Sequence, residues 1–189
     1  MSTEIKIWTQ QSKKVKNLLF IEKRLTVKKR YIKQKYGSET EIFLKAYDFF
    51  VKEAKKMVEK PEDAEYPFWA ASDPEAALSG GSGFLIKLKV PAEKIIFFDK
   101  EKWNQLLNLS YIADDKKDLE EHQKALKKRR ITDDSEVMLS PHYPVLKNKI
   151  RQSWQKLFKG SNDGFNSKRK GAAIWELRLE WVEEVIENK

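Results

Sequence analysis

Few residue types in this chain could carry chemistry. It has no cysteine and only two histidines, His122 and His142, which excludes disulfides, thiolate zinc sites and cysteine nucleophiles and disfavours a histidine-rich metal site. No glycine-rich phosphate loop, nucleophile elbow or two-histidine helix occurs. Gly80-Gly81-Ser82-Gly83 follows a helical stretch and precedes a strand, the reverse of the order that aims helix amides at phosphate. What remains is charge and aromatic surface. Lysine and arginine number 38 against 29 acids, a net charge of +9. Basic residues crowd residues 13–35, where Glu22 is the one acid, and residues 147–170, where Asp163 is the one acid. Such stretches could track a phosphate backbone, with counterion release supplying affinity. Lys127-Lys128-Arg129-Arg130 is the densest positive run of residues 114–130 and the candidate nucleic-acid contact. Because lysine greatly outnumbers arginine, general solvation competes with bidentate base reading as the explanation.

The elements that would position a site can be read in order. With 189 residues, 40% hydrophobic and 12% aromatic, the chain can bury one core, so a single α+β domain over residues 1–189 is expected. Residues 4–9 alternate as an opening strand, 11–20 turn Val15, Leu18 and Leu19 inward as a helix, and Leu25 and Val27 suggest a short strand. Ser38 and Glu41 have capping-box spacing for a helix over 39–59, which Pro61 stops. The stretch 66–108 is the most informative. A short aromatic strand around Tyr66 to Ala70 leads into a helix capped by Asp73 with Pro74 at its first position; Ser79 to Gly83 breaks it. Phe84, Ile86, Leu88 and Val90 alternate with Leu85, Lys87 and Lys89 as a strand, 95–98 forms another, and Asp99 caps a helix with Trp103, Leu106 and Leu107 inward. A charged helical or mobile excursion occupies about 113–141, residues 132–144 read as loop, and 145–158 resumes a helical period. Residues 160–171 read as a polar loop able to close over a site, and 172–181 as one strand with Glu176 on its polar side.

Several blocks together carry a resemblance. Ile7-Trp8-Thr9-Gln10, Ala46-Tyr47-Asp48-Phe49-Phe50, Tyr66-Pro67-Phe68-Trp69-Ala70, Val90-Pro91, Asp99 with Trp103, Ser153 to Phe158, and Ala173-Ile174-Trp175-Glu176-Leu177 stand in the order found in domain-of-unknown-function family 3841, a bacterial and phage family without an agreed activity. At greater distance the order resembles the ADP-ribosyltransferase fold, whose middle motif is similar to Ala70 to Leu78. That resemblance implies a bent, split β-sheet flanked by helices, gripping NAD in its cleft.

In such a site a carboxylate faces the positive charge that builds on the ribose as nicotinamide leaves, an aromatic ring stacks on the nicotinamide, and hydroxyls or amides fix its polar edge. The resemblance nominates Glu176 as the catalytic carboxylate, Trp8 or Trp69 for stacking, and Thr9, Gln10, Tyr66 and Ser72 for polar contacts. The chain departs from the fold's pattern at two points. Thr9 or Trp8 stands where catalytic members place Arg or His, and Gly171 and Ala172 stand where they place Glu. Three functions follow as expectations: an ADP-ribosyltransferase-like enzyme using NAD on a protein or nucleic acid, as a toxin or phage effector; a non-catalytic binder of NAD or another nucleotide; or a basic factor binding nucleic acid or a host protein. No metal is expected. No run approaches the roughly 18 apolar residues of a membrane span and no apolar signal region opens the chain, so a soluble cytoplasmic protein is expected.

Overall fold

Strand alternation organises the central sheet, which is buried on both faces over Lys170–Ile174 and on one face along much of Glu4–Gln11 and Gly83–Pro91. The computed structural model describes residues 3–37, 40–78, 83–159 and 170–188. In chain order it runs β1 (Glu4–Gln11), α1 (Lys13–Glu22), β2 (Arg24–Thr26), α2 (Lys29–Tyr36), α3 (Thr40–Ala54), β3 (Phe68–Ala71), α4 (Pro74–Ala77), β4 (Gly83–Pro91), β5 (Ile96–Asp99) and α5 (Lys100–Leu107). Then come α6 (Lys116–Lys127), α7 (Asp134–Leu139), α8 (Pro144–Ser153), β6 (Lys170–Ile174), β7 (Glu176–Arg178) and β8 (Val182–Asn188). Six strands form one antiparallel sheet in the order β5-β6-β3-β1-β4-β8, and β2 pairs with β7 in a second, two-stranded sheet. The chain is a single α+β domain.

Each face of the large sheet has its own core. Ile7, Ile86, Leu88, Phe68, Ala172 and Ile174 pack with Leu19 of α1 and with Leu25 and Leu177 of the small sheet. The other face sets Ile96, Phe98, Ala173 and Trp69 against Phe50 of α3, Trp103 and Leu106 of α5, and Ile150 and Trp154 beyond. Because β6 lies between both cores, small residues suit it. A Cβ at Gly171 would lie 2.3 Å from the Phe98 ring directly across the ladder.

Local signals account for most helix starts. The Ser12, Asp73, Asp99, Asp115 and Asp133 side chains each accept a backbone N–H in the first turn of the helix that follows. The sequence expectations differ from the structure in four places. The helix expected over 39–59 ends at Ala54, where the Met57 and Val58 amides both turn back onto the Ala54 carbonyl; Val58 still reaches the core. Residues 172–181 are not one strand. The chain breaks at Trp175, whose indole N–H donates to the Val58 carbonyl at 3.1 Å, and Glu176 enters the small sheet. Helix α7 occupies part of the expected 132–144 loop, and α2 fills a stretch that showed only charge. The excursion at 113–141 holds α6 and α7, with Leu126, Ile131, Val137 and Met138 in the core. The Ser38 cap, the glycine turn at 79–82 and the loop at 160–169 lie outside the described residues.

The small sheet is held by a charged ladder. Opposite Thr26, the Glu176 carboxylate accepts from Arg24 and, at 2.7 Å, from Arg178 Nε, while Arg24 reaches Asp63 with both Nη1 and Nη2 at 2.8 Å. Burial pushes the Glu176 carboxyl up, but hydrogen bonds and charge from Arg178 and Arg24 outweigh it and hold it below its ordinary value. The Arg24 hydrogen bond likewise holds Asp63 down to about 2.

Two outcomes follow. Gly171→Ala should cost about 1–3 kcal/mol by overpacking, read as a lowered urea midpoint with an unchanged m-value. A carboxylate whose folded pKa is depressed stabilises above its ordinary pKa and loses that contribution as pH falls through the folded value. Native stability should therefore decline as pH drops below about 4.5, the ordinary glutamate value, towards the value of about 2 held by Asp63. Glu176→Gln should cost about 1–3 kcal/mol at neutral pH and flatten that decline, as chemical denaturation across the acid range would measure.

Candidate functional site

A ladder that stops early makes the site. Strand β1 pairs with β4 over eight residues but meets β3 only at Trp8↔Ala71. Beyond that pair the strands part, and the Thr9 hydroxyl donates to the Trp69 carbonyl at 2.7 Å in place of a continued backbone ladder. Thr9 in turn accepts from Gln11 Nε2 at 2.7 Å, which fixes that amide at the edge of the gap. A buried hydroxyl between two strands is tolerable because both of its hydrogen-bonding roles are filled.

The gap opens into a cavity of about 670 Å³, within the range of small-molecule sites. One wall is Gln10 and Gln11 with Lys14, Val15 and Leu18 of α1; another is Pro67, Phe68, Trp69 and Ala70 around β3. Leu25 to Val27 at β2 and Tyr31, Ile32, Gln34 and Tyr36 of α2 form the third, and Lys100, Trp103, Asn104 and Leu107 at α5 the fourth. Trp69 is propped from behind. Its ring lies 4.6 Å from Trp103 and edge-on to Phe50 at 4.8 Å and Phe98 at 5.6 Å, and Tyr47 stacks on Trp103 at 5.6 Å. Such a cluster presents flat aromatic area with little freedom to collapse.

The polar side-chain groups of the lining are amides, phenols, ammoniums, indole N–H groups and the Thr26 hydroxyl. The Tyr36 and Tyr47 hydroxyls are 3.1 Å apart, and burial followed by the Tyr36 hydrogen bond pushes the Tyr47 phenol well above its ordinary value, so it stays neutral and able to donate. Lys14 and Lys100 bring positive charge, and Lys100 Nζ donates to the Ala76 carbonyl at 2.9 Å. Among the described lining residues there is no carboxylate. The arrangement can stack a planar ring, hydrogen-bond its edge and attract an anion. No group of three or more metal-ligating side chains occurs among the described residues.

Of the nominated residues, Trp69 and Gln10 line the cavity. Thr9 is fully buried beside it and holds its edge. Trp8 points elsewhere, half-buried with the Lys87 ammonium 5.4 Å from its ring centroid. The buried Tyr66 hydroxyl donates to Asp48 Oδ1 at 2.6 Å, and burial, with Asp48, raises its pKa. Ser72 lies in the bend before α4 and is not among the lining residues. Glu176 is absent from the lining too. It borders a narrow recess of about 20 Å³ with Trp175 and Trp181. Lys127, Lys128, Arg129 and Arg130 are exposed at the end of α6, and none lines the cavity.

Sequence reasoning missed Tyr31, Tyr36, Tyr47, Trp103 and Lys14 as site residues. Tyr47 and Trp103 sit at inward helical positions, and an inward position marks a cavity wall and a core in the same way. The spacing of Tyr31, Gln34 and Lys14 carried no signal without the fold.

Among the described residues no helix is long and apolar enough to cross a membrane. Neither the curated proteins nor the solved structures compared with the chain match it. One family profile does, across residues 6–183, nearly the whole length. The chain therefore belongs to the family described as a domain of unknown function, DUF3841.

Proposed function

We propose that this protein binds a nucleotide, NAD or a relative of it, in the cavity between β1 and β3. The observation that carries the reading is the lining itself: propped indoles, phenols, amides and two ammoniums, with no carboxylate among its described residues. Stacking on Trp69, edge recognition by Gln10, Gln34 or Asn104, and attraction of phosphate to Lys14 suit a ligand that is flat at one end and anionic at the other. The parting of β1 from β3 supports the ADP-ribosyltransferase-like resemblance at the level of architecture, since that fold also grips NAD where its sheet splits. Fold likeness alone carries no activity.

Transfer chemistry is less well supported. It needs a carboxylate facing the ribose as nicotinamide departs, and Glu176 is engaged by two guanidiniums at a separate recess. Binding without transfer is the better reading.

Calorimetry with NAD, ADP and AMP should show saturable binding to at least one of them. Trp69→Ala should weaken it by roughly 5- to 150-fold, the loss of about 1–3 kcal/mol of base stacking, and Trp69→Phe should keep most of it with a native melting profile. Silence across the panel would end the proposal. Nicotinamide release should stay at background; release that vanishes in Glu176→Ala would restore the transferase reading instead.

A further inference from the structure

We infer that the ligand of this site is a segment of single-stranded nucleic acid, with one base inside the cavity and the next stacked at its mouth. The inference rests on the reading of the cavity as a nucleotide site and goes beyond it on three observations. First, Tyr31 lines the cavity yet is 43% exposed, which places it at the opening. The Arg30 guanidinium lies 5.0 Å from its ring centroid and donates from Nη2 to its hydroxyl at 3.0 Å. That is a fixed aromatic and cationic platform outside the inner ring cluster. Second, positive charge exceeds what one nucleotide needs. Lys13, Lys14, Lys29, Arg30 and Lys33 stand exposed on α1 and α2, and among the described residues no carboxylate pairs with the ammonium of Lys13, Lys14, Lys29 or Lys33.

The third observation is where those cations sit. Lys13, Lys14, Lys29 and Arg30 occupy the first turns of their helices, and neither first turn holds an acid. Cations there oppose the helix dipole; at the start of α2 the Glu65 carboxylate, which accepts from the Lys29 backbone N–H, offsets part of that opposition. A chain of phosphates passing the mouth would meet the exposed cations of both helices. Stacked bases on Trp69 and Tyr31, with the connecting phosphates near Lys14 and Arg30, combine the two contacts that single strands use.

Fluorescence anisotropy with a labelled deoxythymidine decamer, alongside calorimetry with the mononucleotide, tests this. The decamer should bind at least tenfold tighter than the mononucleotide at low salt. Log affinity should fall with log salt at a slope steeper than about −1.4, roughly −0.7 for each of two or more phosphates. Arg30→Ala/Lys33→Ala should weaken decamer binding about tenfold, whereas Lys116→Ala/Lys117→Ala on α6, an equal loss of charge, should change it less than about twofold. Equal affinity for decamer and mononucleotide would overturn the inference while leaving the nucleotide site standing. Equal loss in the two double variants, or equally tight binding of polyglutamate, would overturn it as general electrostatics. Absence of binding to both nucleotide and decamer would remove the proposed function with it.

Discussion

Everything about the site follows from one short hydrogen-bonding substitution. Backbone groups of a buried strand must find partners, and a strand pair that simply parts would leave several without them. Here the Thr9 hydroxyl takes the Trp69 carbonyl that a continuing ladder would have reached by other means, so β1 and β3 can separate after one paired position. The space persists because its far wall is rigid. Trp69 is held by Phe50, Phe98 and Trp103, and these belong to the core on that face of the sheet. Filling the gap would require that cluster to repack, which close-packed aromatic interiors resist.

Glu176 acts on the same space from a distance. A three-residue pair of strands is marginal by itself, yet Leu25, Thr26 and Val27, at and beside β2, form a wall of the cavity. The side chains of Leu25 and Leu177 anchor the small sheet in the apolar core, and on its other side Arg24, Glu176, Arg178 and Asp63 lock the two strands together. The residue that chemistry singled out is thus best understood as positioning a wall. Its two guanidinium partners engage both oxygens of its carboxylate.

The sequence was most legible where one local rule decides. Asp73 with Pro74, Asp99, and the alternation of Ile86, Leu88 and Val90 with Lys87 and Lys89 in β4 appear as read, because capping and period-two burial are settled within a few residues, while Leu85 departs from it by being buried. Reading failed where a pattern outlives the element that made it. Alternation across 172–181 continues through Trp175 because both sheets impose the same period, so nothing local marks the passage from one to the other. Helix α2 was hidden because a single side chain of it, Ile32, is deeply buried among the described ones. Of the cavity lining, the sequence blocks around Gln10 and Trp69 point to those two residues, whereas inward helical spacing marks Tyr47 and Trp103 only as core.

Where charge stands says more than how much there is. The Lys127 to Arg130 cluster is the densest of its stretch, and part of it has a local role at the end of α6. Lys124 and Lys127 lie in the last turn of α6, Arg129 Nη1 donates to the Ala125 carbonyl at 3.0 Å, and Arg130 takes a left-handed φ of 57° as the chain leaves the helix. Cations at a helix C-terminus complement its dipole and its open carbonyls. The cations of α1 and α2 are placed the opposite way, at helix starts, with the Glu65 carboxylate accepting from the Lys29 backbone N–H at the second of them. Two groups of similar composition therefore carry different meaning. The first stands clear of the cavity, and the second reaches its lining through Lys14.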